Sequence, residues 1–437
     1  MTETDENTAQ DGLPKIKIRG GNPLNGDIRI SGAKNSALKL ICASLLTEQE
    51  VKLFNVPTRL RDIETLEKLL THMGSEIVVN HDAKTMSLKG LGDKSKTTAH
   101  YDLVRQMRAS ILVLGPTLAR HGHAKVSLPG GCAIGSRPVD LHLKGLEQMG
   151  ADIQIEDGYV LATAPAGGLK GADIHFPKVS VGATEHLLMT ATLANGITTL
   201  SNAAMEPEIG DLANMLNNMG ADIRGIGTQK LVIHGVDKLN GTDHSVIPDR
   251  IETGTFMIAA ALTGGEVTLK NTRPDTIDAV TALLKKAGAE VMIDGTDITV
   301  KRKENLQSLR GIDIMTEPYP GFPTDMQAQI MTMLTLCDGA GMVTETIFEN
   351  RYMHVPELVR MGANIVVQGN SAIVRGVNKL KGAQVMATDL RASVALVIAG
   401  LCAEGETTIN RIYHLERGYE DIAGKLSAVG ADIRREK

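Results

Sequence analysis

Glu147-Gln-Met-Gly-Ala-Asp-Ile153 is one of six versions of a single phrase in this 437-residue chain. The others are Thr71-His-Met-Gly-Ser-Glu-Ile77, Asn217-Asn-Met-Gly-Ala-Asp-Ile223, Lys285-Lys-Ala-Gly-Ala-Glu-Val291, Val359-Arg-Met-Gly-Ala-Asn-Ile365 and Ser427-Ala-Val-Gly-Ala-Asp-Ile433. Their glycines, Gly74, Gly150, Gly220, Gly288, Gly362 and Gly430, recur at intervals of about 70 residues and fill nearly the whole chain. Glycine takes a positive φ without a steric penalty, so each phrase predicts an amphipathic helix closed by a left-handed cap and followed by a strand.

A second helix is expected upstream of each phrase. In the unit opening Ile30-Ser-Gly-Ala-Lys-Asn35, small and apolar residues run from Ala37 to Leu46, and Glu50 to Val56 then alternates as a strand does. Counterparts begin at Val179, Ile247, Phe322 and Ala387, leading through glycine-containing turns to strands such as Thr198 to Asn202 and Glu266 to Asn271. The predicted order in a unit is strand, helix, strand, helix, strand. Units of this size pair internally and do not read as a solenoid, so six α/β units are grouped as two compact sets of three. The polar stretch Asn240 to Pro248 is the best candidate for a hinge.

Composition narrows the function. Aromatic residues are 3% of the chain with no Trp, and 46 Lys and Arg against 51 Asp and Glu give a net charge of -5. Neither a base-stacking platform nor a broad basic footprint is present, so no nucleic acid or anionic membrane surface is expected as partner. The longest apolar runs, such as Ala395 to Ala403, are too short to span a membrane. Residues Met1 to Pro14 are polar and acidic, unlike a signal peptide, and read as a disordered tail. Cys42, Cys132, Cys337 and Cys402 show no metal or disulfide spacing, which favours a reducing compartment, the cytoplasm.

Leu128-Pro-Gly-Gly-Cys-Ala-Ile-Gly-Ser-Arg-Pro-Val-Asp140 places Cys132 among glycines, either as a small residue in a tight turn or as an exposed thiol able to reach a ligand. Arg137, close in sequence, could hold an anion beside it. Lys34 and Asn35 stand at a predicted helix start, where free N–H groups also favour an anion. Asp249, Asp325 and Asp389 occupy similar points of three repeats, where an aspartate caps a helix or serves a site. Pro248-Asp249-Arg-Ile-Glu252 reads as a capping box. His121-Gly-His123 lacks a third ligand and reads as a polar turn, so no metal is expected. No phosphate-binding loop or dinucleotide fingerprint occurs, and no cofactor is expected.

Several phrases together resemble a known family. Ser31-Gly-Ala-Lys-Asn, Met107-Arg-Ala-Ser, Leu128-Pro-Gly-Gly-Cys, Arg137-Pro-Val-Asp-Leu, Pro248-Asp-Arg-Ile-Glu-Thr-Gly, Phe322-Pro-Thr-Asp-Met-Gln-Ala-Gln, Asn350-Arg, Ala387-Thr-Asp-Leu-Arg-Ala-Ser and Arg417-Gly-Tyr-Glu look like those of the UDP-N-acetylglucosamine 1-carboxyvinyltransferases. The resemblance spans residues 15–435. It implies the enolpyruvyl transferase fold, an inside-out α/β barrel of two domains, each of three repeated α/β units around a pseudo-threefold axis. The implied domains are 34–247, carrying the Cys132 loop, and 1–33 with 248–437, with a substrate cleft between them.

The same resemblance implies the activity and its residues. The reaction moves the enolpyruvyl group of phosphoenolpyruvate onto a UDP-sugar, the first committed step towards peptidoglycan, with two small-molecule substrates and no obligate protein partner. Lys34, Arg137, Arg391 and Arg417 match the cations of the phosphoenolpyruvate site. Asp325 matches the base for the sugar hydroxyl, Asp389 the reaction centre, and Cys132 the proton donor. Asn35, Arg108, the run Arg137, Pro138, Val139, Asp140 and Leu141, the run Lys178, Ser180, Val181 and Gly182, Ile347 and Arg351 match substrate contacts. His142 is expected to support the loop as a neighbour. The rivals are a shikimate 3-phosphate enolpyruvyl transferase and a silent UDP-sugar binder.

Overall fold

The computed structural model describes residues 14–90, 97–105, 107–128, 139–302 and 308–436. The expected tail, Cys132, Arg137 and Pro138 lie outside the described residues, apart from Pro14 at the tail's end. All six glycine-ended helices are present: Arg61–His72, Asp140–Gln148, Pro207–Asn218, Asp278–Ala287, Val355–Arg360 and Ile422–Ala428. Each leads to its glycine at positive φ, from 92° at Gly150 to 110° at Gly288. The strands that follow are Glu76–Asn80, Asp152–Glu156, Asp222–Arg224, Glu290–Asp294, Asn364–Gln368 and Asp432–Glu436.

The upstream helices are Lys34–Ala43, Leu114–His121, Val181–Ala191, Arg250–Thr263, Gln327–Leu334 and Leu390–Cys402. Most are buried nearly all round, which is why their sequences read as continuous small and apolar runs and not as one-sided stripes. Helices Arg250–Thr263, Gln327–Leu334 and Leu390–Cys402 pack on one another.

Among the described residues the strands form six four-stranded sheets of one topology. In the sheet Asp173–His175, Ile197–Ser201, Lys230–His234, Asp222–Arg224, the first pair is parallel and the rest antiparallel. The predicted five-element unit therefore lacked a strand: a hairpin partner such as Tyr159–Thr163 inserts beside the third strand. Its signal was Asp157-Gly158, whose two positive φ values (51° and 77°) suit a tight hairpin turn.

Two compact units result, one from the described residues of 31–248 and one from those of 14–30 with 249–436. Each unit completes a sheet with a strand drawn from a distant part of the chain. Leu24–Arg29, just ahead of helix Lys34–Ala43 in sequence, pairs in parallel with Gly265–Lys270 of the later unit. Thr242–Ser245 pairs in parallel with Val51–Phe54 of the earlier one. Lys15–Arg19 lies between Glu406–Asn410 and Asp432–Glu436, antiparallel to both. The stretch expected to be a hinge, Asn240 to Pro248, contains the four-residue strand Thr242–Ser245 and ends at the boundary between the two units. His244 anchors it, its Nε2 lying 2.8 Å from Oδ1 of buried Asp211, whose other oxygen accepts the Ser36 hydroxyl.

Each unit has its own apolar core. Leu40, Leu66, Leu118, Leu187 and Leu216 belong to one, and Ile18, Phe256, Leu284, Met331 and Leu396 to the other. Burying one such side chain contributes about 1.5–3 kcal/mol, so each unit carries its own stabilisation.

Candidate functional site

The three corresponding aspartates differ in what their carboxylates do. Asp249 Oδ1 accepts the backbone N–H groups of Ile251 and Glu252 at 2.8 and 3.0 Å. Asp389 Oδ1 accepts those of Arg391 and Ala392 at 2.8 and 3.0 Å. Both are helix caps. Asp325 instead lies in the 3-10 turn Thr324–Met326, ahead of helix Gln327–Leu334, and its carboxylate meets two guanidinium groups. Arg351 Nη2 donates to Oδ1 at 2.6 Å and Arg391 Nη2 to Oδ2 at 2.9 Å. The arginine side chains are 5% and 8% exposed, whereas Asp325 keeps 25% of its own open.

Other groups fix the two arginines. Arg351 Nη1 donates to the Thr324 hydroxyl at 2.8 Å, and its guanidinium lies 5.3 Å from the Phe348 ring centroid. Arg391 Nη1 donates to the Tyr419 hydroxyl at 3.2 Å, and that hydroxyl is 2.9 Å from Thr255 Oγ1. Gln329 Nε2 also reaches Thr255 Oγ1, at 3.2 Å. Burial alone would raise the Asp325 pKa, but Arg391 and Arg351 override it and hold the carboxyl well below the usual range.

Glu345, 3% exposed, organises the neighbouring loop. Its Oε1 accepts the N–H groups of Ile347 and Phe348 at 2.8 and 3.1 Å, and its Oε2 the Thr324 hydroxyl at 2.9 Å. Arg417 ends the 3-10 helix Ile412–Arg417 and is half-buried. Burial first, and then Arg417, lower the pKa of neighbouring His414. Asp325, Arg351, Arg391 and the Asp389 cap thus gather in one unit.

The other unit holds a second group. Lys34 starts helix Lys34–Ala43 and pairs with buried Asp62 at 3.1 Å, with half-buried Asn35 beside it. Arg108 opens the 3-10 helix Arg108–Val113, which packs on helices Lys34–Ala43 and Val181–Ala191. Ser180 caps Val181–Ala191 by accepting from Ala183 N at 3.3 Å, and Lys178 is exposed just before it. His142 joins the two expected nucleotide runs: it follows Val139, Asp140 and Leu141, and its ring is packed so close to Gly182 that an added Cβ would lie 3.4 Å away. Its ring centroid is 5.0 Å from that of His186. Burial, and then Arg108, lower the His142 pKa to about 4.

The sequence reading did not assign roles to Thr324, Tyr419, Gln329 or Glu345. Tyr419 was visible only as part of Arg417-Gly-Tyr-Glu, and a glutamate ending a strand carries no local signal of four donors around it. Among the described residues no cluster of His, Cys, Asp and Glu is arranged to hold a metal, and no helix is long and apolar enough to cross a membrane.

Comparison with known proteins gives the family of the chain. Residues 18–426 match the family model of EPSP synthase (3-phosphoshikimate 1-carboxyvinyltransferase). A UDP-N-acetylglucosamine 1-carboxyvinyltransferase of Acidiphilium cryptum is 60% identical over 423 residues, covering 97% of this chain and 99% of the relative. That of Rhodospirillum centenum is 58% identical over 434 residues with the same coverage. The crystal structure of the enolpyruvyl transferase NikO from Streptomyces tendae superposes with a TM-score of 0.86 at 25% identity, over 97% of this chain and 99% of that one. The shared enolpyruvyl transferase fold and the full-length identity to these relatives establish that the chain belongs to the UDP-N-acetylglucosamine 1-carboxyvinyltransferase family.

Proposed function

We propose that this chain transfers the enolpyruvyl group of phosphoenolpyruvate to the 3'-hydroxyl of UDP-N-acetylglucosamine with release of phosphate, the first committed step of peptidoglycan synthesis. The relatives' shared name supports the reaction class and the acceptor. The observation that carries the chemistry is Asp325: of three equivalent aspartates it alone turns its carboxylate from helix capping to a pair of arginines while remaining open on one edge. The free cysteines Cys42, Cys337 and Cys402 suit a cytoplasmic setting.

The reaction proceeds by addition and elimination. Asp325 takes the hydroxyl proton as the sugar oxygen bonds to C2 of phosphoenolpyruvate, and the Cys132 thiol gives a proton to C3. The Cys132 thiolate then takes a proton back from C3 of the tetrahedral adduct, the double bond re-forms, and the C2–O bond to phosphate breaks with its electron pair leaving on phosphate. Lys34, Arg137 and Arg417 steady the phosphate oxygens as charge builds on them. Arg108, the runs Arg137 to Leu141 and Lys178 to Gly182, and Ile347 hold the nucleotide sugar; the start of helix Val181–Ala191 suits its diphosphate.

Asp325 paired with two guanidinium groups is a weak base. An anionic substrate competes for the same cations, Arg391 above all, and each contact it takes over returns basicity to Asp325. The base is thereby strengthened when phosphoenolpyruvate is bound.

The test is phosphate release from phosphoenolpyruvate with either UDP-N-acetylglucosamine or shikimate 3-phosphate as acceptor. Release is expected with the nucleotide sugar alone and should collapse in Cys132→Ser, since one acid-base step contributes roughly 100- to 10,000-fold. Release only with shikimate 3-phosphate would transfer the assignment to that substrate, and none with either would leave a binding protein.

A further inference from the structure

The loop that presents Ile347 and the turn that presents Asp325 are joined through one carboxylate. Glu345 follows strand Ala340–Thr344. Its Oε1 accepts from the Thr316 hydroxyl at 2.9 Å and from the Ile347 and Phe348 N–H groups at 2.8 and 3.1 Å. Its Oε2 accepts the Thr324 hydroxyl at 2.9 Å. Having given its only proton to Glu345, Thr324 Oγ1 can only accept, and it accepts Arg351 Nη1 at 2.8 Å. Arg351 Nη2 ends the chain on Asp325 at 2.6 Å.

A carboxylate supplies acceptors alone, and that fixes the direction of every hydrogen bond in the chain. The loop is tied from its other side as well: Thr346 N–H donates to Thr316 Oγ1 at 2.9 Å, so Thr316 bridges Thr346 and Glu345. Displacing the N–H groups of Ile347 or Phe348 therefore disturbs the oxygen pair that orients Thr324, and through Thr324 the rotation of the Arg351 fork against Asp325.

We infer that Glu345 is a positioning residue that couples seating of the nucleotide sugar against Ile347 to the alignment of Asp325, an inference resting on the roles proposed above for those two residues. A polar group held only by its neighbours loses alignment quickly when that support is altered, and misplacement by about 1 Å can cost about 100-fold in rate.

Glu345→Gln keeps the shape but puts an NH2 donor on one side of the chain, so Thr324 must accept twice and its own proton loses its partner. The expected result is about a tenfold rise in KM for UDP-N-acetylglucosamine and about a tenfold fall in kcat, with KM for phosphoenolpyruvate within about twofold of wild type. Thr324→Val, a milder change of similar shape, should lower kcat by about tenfold at an unchanged melting temperature, and Thr324→Ser should restore most of it. The double variant Glu345→Gln with Thr324→Val should be no slower than the worse single variant, because the two act through one chain. Amide exchange at Ile347 and Phe348 should speed up in Glu345→Gln and stay at the wild-type rate in Thr324→Val.

Multiplicative effects in the double variant, a Glu345→Gln enzyme with wild-type kinetics, or a Thr324→Ser enzyme as impaired as Thr324→Val would each overturn the coupling. A wild type that releases no phosphate with UDP-N-acetylglucosamine would instead overturn the functional reading and this inference with it. An active wild type with a kinetically silent Glu345→Gln overturns the inference alone.

Discussion

Arg391 reaches Asp325 Oδ2 from Nη2 at 2.9 Å while its Nη1 is anchored on Tyr419 at 3.2 Å, so the guanidinium holding the candidate base is itself held from behind. Arg351 holds the other oxygen, so each oxygen of the Asp325 carboxylate faces a buried guanidinium.

Asp325→Asn should reduce turnover by about 1,000-fold, within the range of a lost acid-base group. Leaving two buried arginines without a counter-charge should also cost about 3 kcal/mol of stability. Because the folded-state pKa is depressed, the stabilisation is present above the unfolded value near 3.9 and is lost as pH falls through the folded one. Urea unfolding of both proteins at pH 7 and in strong acid checks this; a gap that stays constant in acid would contradict it.

Removing one arginine should move the pH profile. In Arg391→Gln the Asp325 pKa rises towards the ordinary range, so the acidic limb of kcat/KM should shift upward by about one unit or more. Tyr419→Phe, which removes only the anchor, should shift it less. A limb that stays in place would mean that Arg391 does not set the basicity of Asp325.

Asp249 offers the contrast. Its carboxylate caps helix Arg250–Thr263, so Asp249→Ala should lower stability by about 1 kcal/mol and Asp249→Asn, which can still accept, by less. Denaturant melts of the two variants decide; equal losses would show that the cap is not what Asp249 contributes.

His142 should make its unit acid-sensitive. Burial and Arg108 lower its pKa to about 4 from the ordinary histidine value of about 6.5, so its contribution is full above about 6.5 and declines as pH falls towards 4. His142→Gln should therefore lose less stability than wild type across that window, by up to about 3 kcal/mol at its acid end. Parallel pH titrations of unfolding would show the two curves converging; parallel curves would refute the assignment.

Gly32 carries a steric prediction. A Cβ there would overlap the carbonyl oxygen of Asn55, a backbone atom that cannot rotate away. Gly32→Ala should cost about 2 kcal/mol or more, read as a lowered melting temperature.

The repeated phrase made much of this fold legible, because a helix ending on a positive-φ glycine is local chemistry: Gly74 and Gly430 meet the same steric demand at opposite ends of the chain. The buried helices were legible for a similar reason, as runs such as Ala395 to Ala403 leave no polar face. The phrases around Lys34 and Asp325 marked candidate positions, yet Asp249, Asp325 and Asp389 occupy similar points of their repeats.

Sequence by itself determined the six α/β units and the family, since caps, periodicity and motifs are properties of neighbouring residues. Only the tertiary structure decided that Leu24–Arg29 pairs with Gly265–Lys270 and Thr242–Ser245 with Val51–Phe54, each far away in the chain. It also decided that Asp325, and not its two equivalents, faces Arg351 and Arg391. Strand partners and ion pairs are chosen between segments dozens to hundreds of residues apart, where the free energy of packing and desolvation acts and no local pattern records the outcome.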